Sequence, residues 1–98
     1  MTESELERLA LLNEEAAEVQ QIISKIIRHG YGSHNPFDEN RTPNRELLNK
    51  ELGDLLFAIQ LMVENYDIND NSIQLYRMAK QNKIQKYLHF NVANPPQQ

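Results

Sequence analysis

Two acidic pairs placed inside apolar helical seams constrain this chain more than any other feature. Glu15 and Glu18 lie in EEAAEVQ, with Glu14 beside them, and Glu51 and Asp54 lie in KELGDLL. Each pair is spaced i, i+3, so on a helix both side chains of a pair share one face. On the first stretch Leu9, Leu12, Ala16, Val19, Ile23 and Ile26 recur at steps of three and four, the pattern of a packed bundle seam. At 100° per residue, Glu15 falls about 60° from the centre of that seam, inside the apolar arc, with Glu18 at its margin. The second stretch has a seam of Leu48, Leu52, Leu55, Ile59, Met62 and Tyr66. Glu51 stands about 65° from its centre. A carboxylate on a face that wants burial is costly unless it is paired, protonated or bound to metal. Lys25 and Lys50 flank the acids but fall outside both seams, whereas Ala16, Ala17, Gly53 and Ala58 are small enough to let two helices close around an ion. Four converging carboxylates therefore point to a divalent cation.

The identity of that cation follows from what the chain lacks. With no cysteine among its 98 residues, ligation falls to oxygen, with histidine as the one alternative. Di-iron bundle sites need Glu-x-x-His on two helices, and His29, His34 and His89 all miss that spacing. Oxygen ligands favour Mg²⁺, or Mn²⁺ in its place, over Zn²⁺. A formal charge of −4 argues against a grip on a nucleic-acid polymer, which works by neutralising many phosphates. A small phosphorylated ligand stays compatible, since a few local cations and a metal suffice for it.

The periodicity predicts an all-α fold in one domain over residues 1–90. A first helix runs from about Ser4 to Arg28, opened by a capping box at Thr2 and Glu5 or at Ser4 and Glu7, and stopped by Gly30 and Gly32. Residues 29–41 are rich in Gly, Pro, Asn and Asp and read as a mobile loop. Thr42 and Pro43 read as the N-cap and first-turn proline of a second helix reaching about Asn65. A third, weaker helix is expected from about Ser72 to Leu88, carrying Arg77, Lys80, Lys83 and Lys86, before a disordered tail at 91–98. No apolar run approaches the ~18 residues of a membrane span, and no export signal opens the chain, so the expected location is the cytoplasm. Three or more helices in so short a chain make a modest core, which predicts a bundle completed by oligomerisation.

The acidic motifs resemble those of the MazG-like, all-α nucleoside triphosphate pyrophosphohydrolases. That family is marked by Glu-Glu-x-x-Glu on one helix and Glu-x-x-Asp on the next, matched here by Glu14, Glu15, Glu18 and by Glu51, Asp54 followed by LLFAI. Asn82, Lys83 and Lys86 resemble its Asn-Lys and basic positions on the last helix. The likeness covers roughly Leu9 to Tyr87, and the stretch between motifs is longer than in the family, the surplus lying in the loop. What the resemblance implies is hydrolysis of a nucleoside triphosphate to the monophosphate and pyrophosphate by a homodimer or homotetramer. It gives Glu15, Glu18, Glu51 and Asp54 the part of holding Mg²⁺, Glu14 or Glu15 that of orienting water, and Asn82, Lys83 and Lys86 that of binding phosphate, with Lys25 and Arg28 as further phosphate ligands. Two other readings fit the same acids: a non-catalytic helical interaction module whose carboxylates make salt bridges, and a related hydrolase acting on a phosphoribosyl metabolite.

Overall fold

The computed structural model describes residues 1–88, and over this span the chain is helical, with three helices and no strand. The tail expected at 91–98, like His89, lies outside the described residues. The chain divides into two compact units, one of residues Met1–Asp67 and one from Ile68 onward. Among the described residues no helix is long and apolar enough to cross a membrane.

The first unit is a pair of helices, α1 (Glu3–His29) and α2 (Asn44–Glu64). The capping box forms at Thr2 and Glu5: Thr2 Oγ1 accepts from the Glu5 amide at 3.1 Å and Glu5 Oε1 from the Thr2 amide at 2.8 Å. Glu3 and Glu5 in the first turn, with Arg28 and His29 in the last, complement the helix dipole. α1 stops at Gly30, whose φ of 92° favours a residue without a Cβ.

α2 begins differently from the expectation. Pro43, not Thr42, is its N-cap, and no side chain caps it. Thr42 is drawn instead into a turn around Asp38, whose Oδ2 accepts the Thr42 amide at 2.8 Å while Oδ1 accepts the Asn40 amide at 3.0 Å. These amides hold the Asp38 carboxyl below its ordinary range. The first amides of α2 are satisfied by the loop backbone: Asn44 N–H donates to Ser33 O at 2.8 Å and Arg45 N–H to Tyr31 O at 3.0 Å. The Arg45 guanidinium also lies 4.8 Å from the centre of the Tyr31 ring. The connection between the helices is thus tied back onto the start of the second.

The pairing is antiparallel. At one end Asn44 Nδ2 donates to Gly30 O at 3.1 Å; at the other, Arg8 in the second turn of α1 grips both oxygens of Asp67, just past α2, with Nη2 to Oδ1 at 2.9 Å. Between these clamps Val19 and Ile22 pack with Ala58 and Met62, the buried apolar core of the chain. The packing faces overlap the expected seams without coinciding with them, sharing Leu12, Val19, Ile26, Leu48, Leu55 and Met62. Leu9 and Ile23 are 42% exposed and Leu52 is 40% exposed, and Tyr66, beyond the end of α2 with φ of 61°, is fully outward. The faces in contact are Leu11, Leu12, Glu15, Val19, Ile22 and Ile26 against Leu47, Leu48, Glu51, Leu55, Ala58 and Met62. Both helices are rotated about 60° from the seams, which brings Glu15 and Glu51 to the centre of contact. The reason lies in the width of the apolar arcs: each spans more than one partner helix covers, and the contact takes the edge that carries the acids. The other edge, with Leu6, Leu9, Leu56 and Phe57, remains exposed.

In the second unit α3 (Asp70–Ile84) starts two residues earlier than expected because Asn69 is the N-cap, its Oδ1 accepting from the Ser72 amide at 2.9 Å. It also ends four residues before Leu88. There the Lys86 and Tyr87 amides turn to Lys83 O and Ile84 O, the tighter i−3 bonding of a helix end. Ile73 and Ile84 are half-buried, and α3 buries no residue fully.

The Arg8–Asp67 pair sets a testable acid dependence. Hydrogen bonds from Arg8 hold the Asp67 carboxyl below its ordinary value of 3.8. Its contribution is therefore complete above pH 3.8 and is lost as pH falls through the lower folded value. Asp67→Asn is expected to lower the melting temperature at pH 7, with the gap to wild type closing below pH 3.8 in a circular-dichroism series.

Candidate functional site

The rotation of the helix faces brings the two acidic pairs together. Glu15, Glu18, Glu51 and Asp54 each offer one oxygen to a group in which all lie within 4.8 Å of one another. Glu15, Glu51 and Asp54 are half-buried and Glu18 lies at the exposed rim. All four arise from regular helix, so their convergence is set by the i, i+3 spacing on each strand of the hairpin and by the register that the end clamps impose.

The electrostatics of this group are unbalanced. Lys50 Nζ bonds Asp54 Oδ2 at 2.9 Å and Glu51 Oε1 at 3.1 Å, and those bonds push its own pKa up. Lys50 thus offsets one charge on the α2 side, from a side chain 65% exposed. The α1 side has no such partner. Glu15 Oε2 is buried without a hydrogen-bond partner. A hydrogen bond with Glu51, followed by repulsion from Glu15 and Glu51, pushes the Glu18 carboxyl up from its ordinary value. Crowding of this kind is relieved by a cation. Octahedral Mg²⁺ with ligands at ~2.1 Å spans ~4.2 Å between opposite oxygens, so the group needs to contract by less than about 1 Å to enclose one.

Beside the acids lies a cavity of about 760 Å³ whose lining includes Glu18, Lys25, Arg28, Lys50 and Glu51. A second cavity, of about 350 Å³, lies under the loop and is lined by Lys25, Arg28, His29, His34, Pro36 and Asn44 among others. Lys25 and Arg28 border both. Asn82 and Lys83 sit in the last turn of α3 and Lys86 in the turn after it, all exposed and all in the second unit. Glu14 is exposed and stands outside the group of four.

Some expectations need correction. Of the small residues expected to allow close approach, Ala58 does so, at 1% exposure, and Ala16 is half-buried. Ala17 and Gly53 face outward, and a Cβ at Gly53 would meet nothing within 4 Å. Lys50, although off the seam, reaches the acids because they stand on the contact face. Asn44 has no counterpart among the expected site residues, although a polar residue directly after the Thr-Pro that ends a long loop is the position where a helix start has amides and carbonyls to share.

No family model, no curated protein and no solved structure matches the chain.

The buried, unpartnered Glu15 oxygen generates a prediction opposite to that for an ordinary structural acid. Glu15→Gln replaces one of the crowded charges by an amide that can donate to its neighbours, and in EDTA it is expected to melt a few degrees above wild type. In millimolar Mg²⁺ or Mn²⁺ the order reverses, because the wild type gains stability from bound ion and the variant loses most of that gain. Differential scanning fluorimetry with and without the ion reads both effects.

Proposed function

We propose that the chain is a Mg²⁺-dependent nucleoside triphosphate pyrophosphohydrolase of MazG-like type, cleaving between the α and β phosphates. The observation that carries this reading is the meeting of Glu15, Glu18, Glu51 and Asp54 within 4.8 Å beside a cavity bordered by Lys25, Arg28 and Lys50. Acids that need a divalent cation, next to cations that need an anion, suit a metal-bound polyphosphate. Mg²⁺ in that group, with Mn²⁺ as a substitute, supplies charge neutralisation of the phosphates and a water of lowered pKa.

The residues have separable tasks. Glu15, Glu18, Glu51 and Asp54 hold the ion, and the half-buried setting of three of them strengthens their field. Glu15 or Glu14 orients water for in-line attack on the α phosphorus and accepts its proton. The new bond joins water oxygen to the α phosphorus, the bond from that phosphorus to the bridging oxygen breaks, and pyrophosphate departs with the electron pair. Lys25 and Arg28, which border the cavity beside the acids, are assigned to the departing pyrophosphate, and Lys50 would be free to bind phosphate if an ion neutralised Asp54 and Glu51. Asn82, Lys83 and Lys86 are assigned to phosphate on the resemblance.

Oligomerisation belongs to the same proposal. The outer edge of α1 forms an apolar groove of about 580 Å³ lined by Leu6, Leu9, Ala10, Leu12 and Ala16, and the buried apolar side chains of Val19, Ile22, Ala58 and Met62 are a small core for a helix pair. A homodimer or homotetramer that covers this edge completes a bundle.

One observation favours a second reading. Lys50 pairs with Glu51 and Asp54 without any ion, as the salt bridges of a non-catalytic helical module would require. The two readings part in one assay. Incubation of nucleoside triphosphates with Mg²⁺ is expected to release pyrophosphate rather than orthophosphate, and Glu51→Gln or Asp54→Asn to reduce the rate by ~100-fold or more. Unchanged rates in both variants would remove the metal assignment, and absence of pyrophosphate from every triphosphate would favour the module. Release from a phosphoribosyl compound alone would move the same site to another substrate.

A further inference from the structure

We infer that Lys50 couples ion binding to phosphate binding: it is the counter-ion of Glu51 and Asp54 until a divalent cation takes over those carboxylates, and is then released to phosphate. The inference rests on the pyrophosphohydrolase reading of the acidic site and adds the order in which that site fills.

Lys50 stands between two sets of groups that call for its charge. Its Nζ bonds Asp54 Oδ2 at 2.9 Å and Glu51 Oε1 at 3.1 Å, so one ammonium bridges both acids of the α2 motif. The two ends of these bonds are held very differently. The Lys50 side chain is 65% exposed, against 14% for Glu51, so the acid is fixed by the fold while the lysine stem is loosely packed. Lys50 also lines the cavity beside the acids, together with Lys25 and Arg28. A phosphate seated there lies against a wall that Lys50 forms. Among the described residues neither Lys25 nor Arg28 makes an ion pair with any of the four acids.

Charge sets the order of events. Four carboxylates and one ammonium still make a net negative group that attracts a divalent cation. An ion among those oxygens is repelled by the ammonium beside it, since both bear on Glu51 and Asp54, so Lys50 weakens ion binding as long as it stays. Once the ion neutralises the two acids, the ammonium loses what held it, and the bonds of so exposed a side chain are weak enough to give up. Phosphate is then the anion left for it. Ion and phosphate therefore bind with positive coupling, and the coupling is reciprocal. Lys25 and Arg28 differ in kind: their charge is available to phosphate with or without an ion, whereas that of Lys50 is available only in the ion's company.

The test uses Lys50→Met, which removes the charge and keeps an unbranched stem, with Lys50→Gln as a second neutral variant and Lys25→Met as control. Mn²⁺ binding, followed by electron paramagnetic resonance, is expected to be ~5-fold tighter in both Lys50 variants than in wild type and to change by less than about twofold in Lys25→Met. Inorganic phosphate, followed by calorimetry, is expected to bind at least about threefold more weakly to Lys50→Met than to wild type in saturating Mg²⁺, and equally to the two proteins without Mg²⁺. A lysine whose salt bridges are merely structural moves neither quantity. Mn²⁺ binding that is no tighter in the Lys50 variants, equal tightening in Lys25→Met, or a phosphate defect of the same size with and without Mg²⁺ would each overturn the coupling. Failure of wild type and variants alike to bind Mn²⁺ removes the metal reading and the coupling with it. Mn²⁺ binding indifferent to Lys50 removes the coupling alone.

Discussion

The hairpin of α1 and α2 is organised around an unfavourable contact. Its two faces meet at Glu15 and Glu51, with Glu18 and Asp54 one turn away, so like charges gather where apolar side chains would pack at no electrostatic cost. One lysine answers four carboxylates, and the answer is one-sided: Lys50 serves the α2 pair, while Glu15 keeps a buried oxygen without a partner. The chain tolerates this because other interactions fix the register. Arg8 on Asp67 closes one end of the hairpin, Asn44 on Gly30 closes the other, and Val19, Ile22, Ala58 and Met62 supply the apolar contact between. With both ends held, the helix register keeps the acids close together, and a bound cation or a shared proton would relieve their crowding. Stability given up at one position for a charged group held in place is the pattern expected of a site, not of a scaffold.

The loop is bound into the same arrangement. Its carbonyls at Tyr31 and Ser33 satisfy the opening amides of α2, which has no side-chain cap of its own. Its turn is organised by Asp38, and its start is set by the positive φ of Gly30. These ties bring Asn44, His34 and Pro36 to a cavity that shares Lys25 and Arg28 with the one beside the acids. Both cavities thus belong to the first unit, one beside the carboxylates and one under the loop.

Much of this was legible in the residues, and the misses have physical causes. The i, i+3 acids, the capping box at Thr2 and Glu5, and the Gly30 stop are local signals, and local signals survive into the fold. The choice of packing face is not local. Leu9, Ile23 and Leu52 are as apolar as Ile22 and Ala58, and only the partner helix decides which edge of a wide arc is covered; the covered edge is the one holding Glu15 and Glu51. The spacing alone puts the acids beside a seam, whereas in the fold they stand within the contact. Thr42 does not cap α2: its amide is held by Asp38 in the loop turn, and Pro43 takes the N-cap position. Arg8 and Asp67 are 59 residues apart, a separation at which spacing carries no information. Asn44 is the same case in reverse: its sequence position marks a helix start, but its burial depends on a loop that folds back across it.

A divalent cation held at the meeting point of α1 and α2 is the central expectation. Titration of the metal-free protein with Mn²⁺, followed by electron paramagnetic resonance, reads bound against free ion directly and needs no substrate. Saturable binding that is displaced by Mg²⁺, and that is weakened ~10-fold or more in Glu51→Gln and in Glu15→Gln, is the predicted result. Free Mn²⁺ throughout at millimolar concentration, or binding that neither substitution alters, would contradict it.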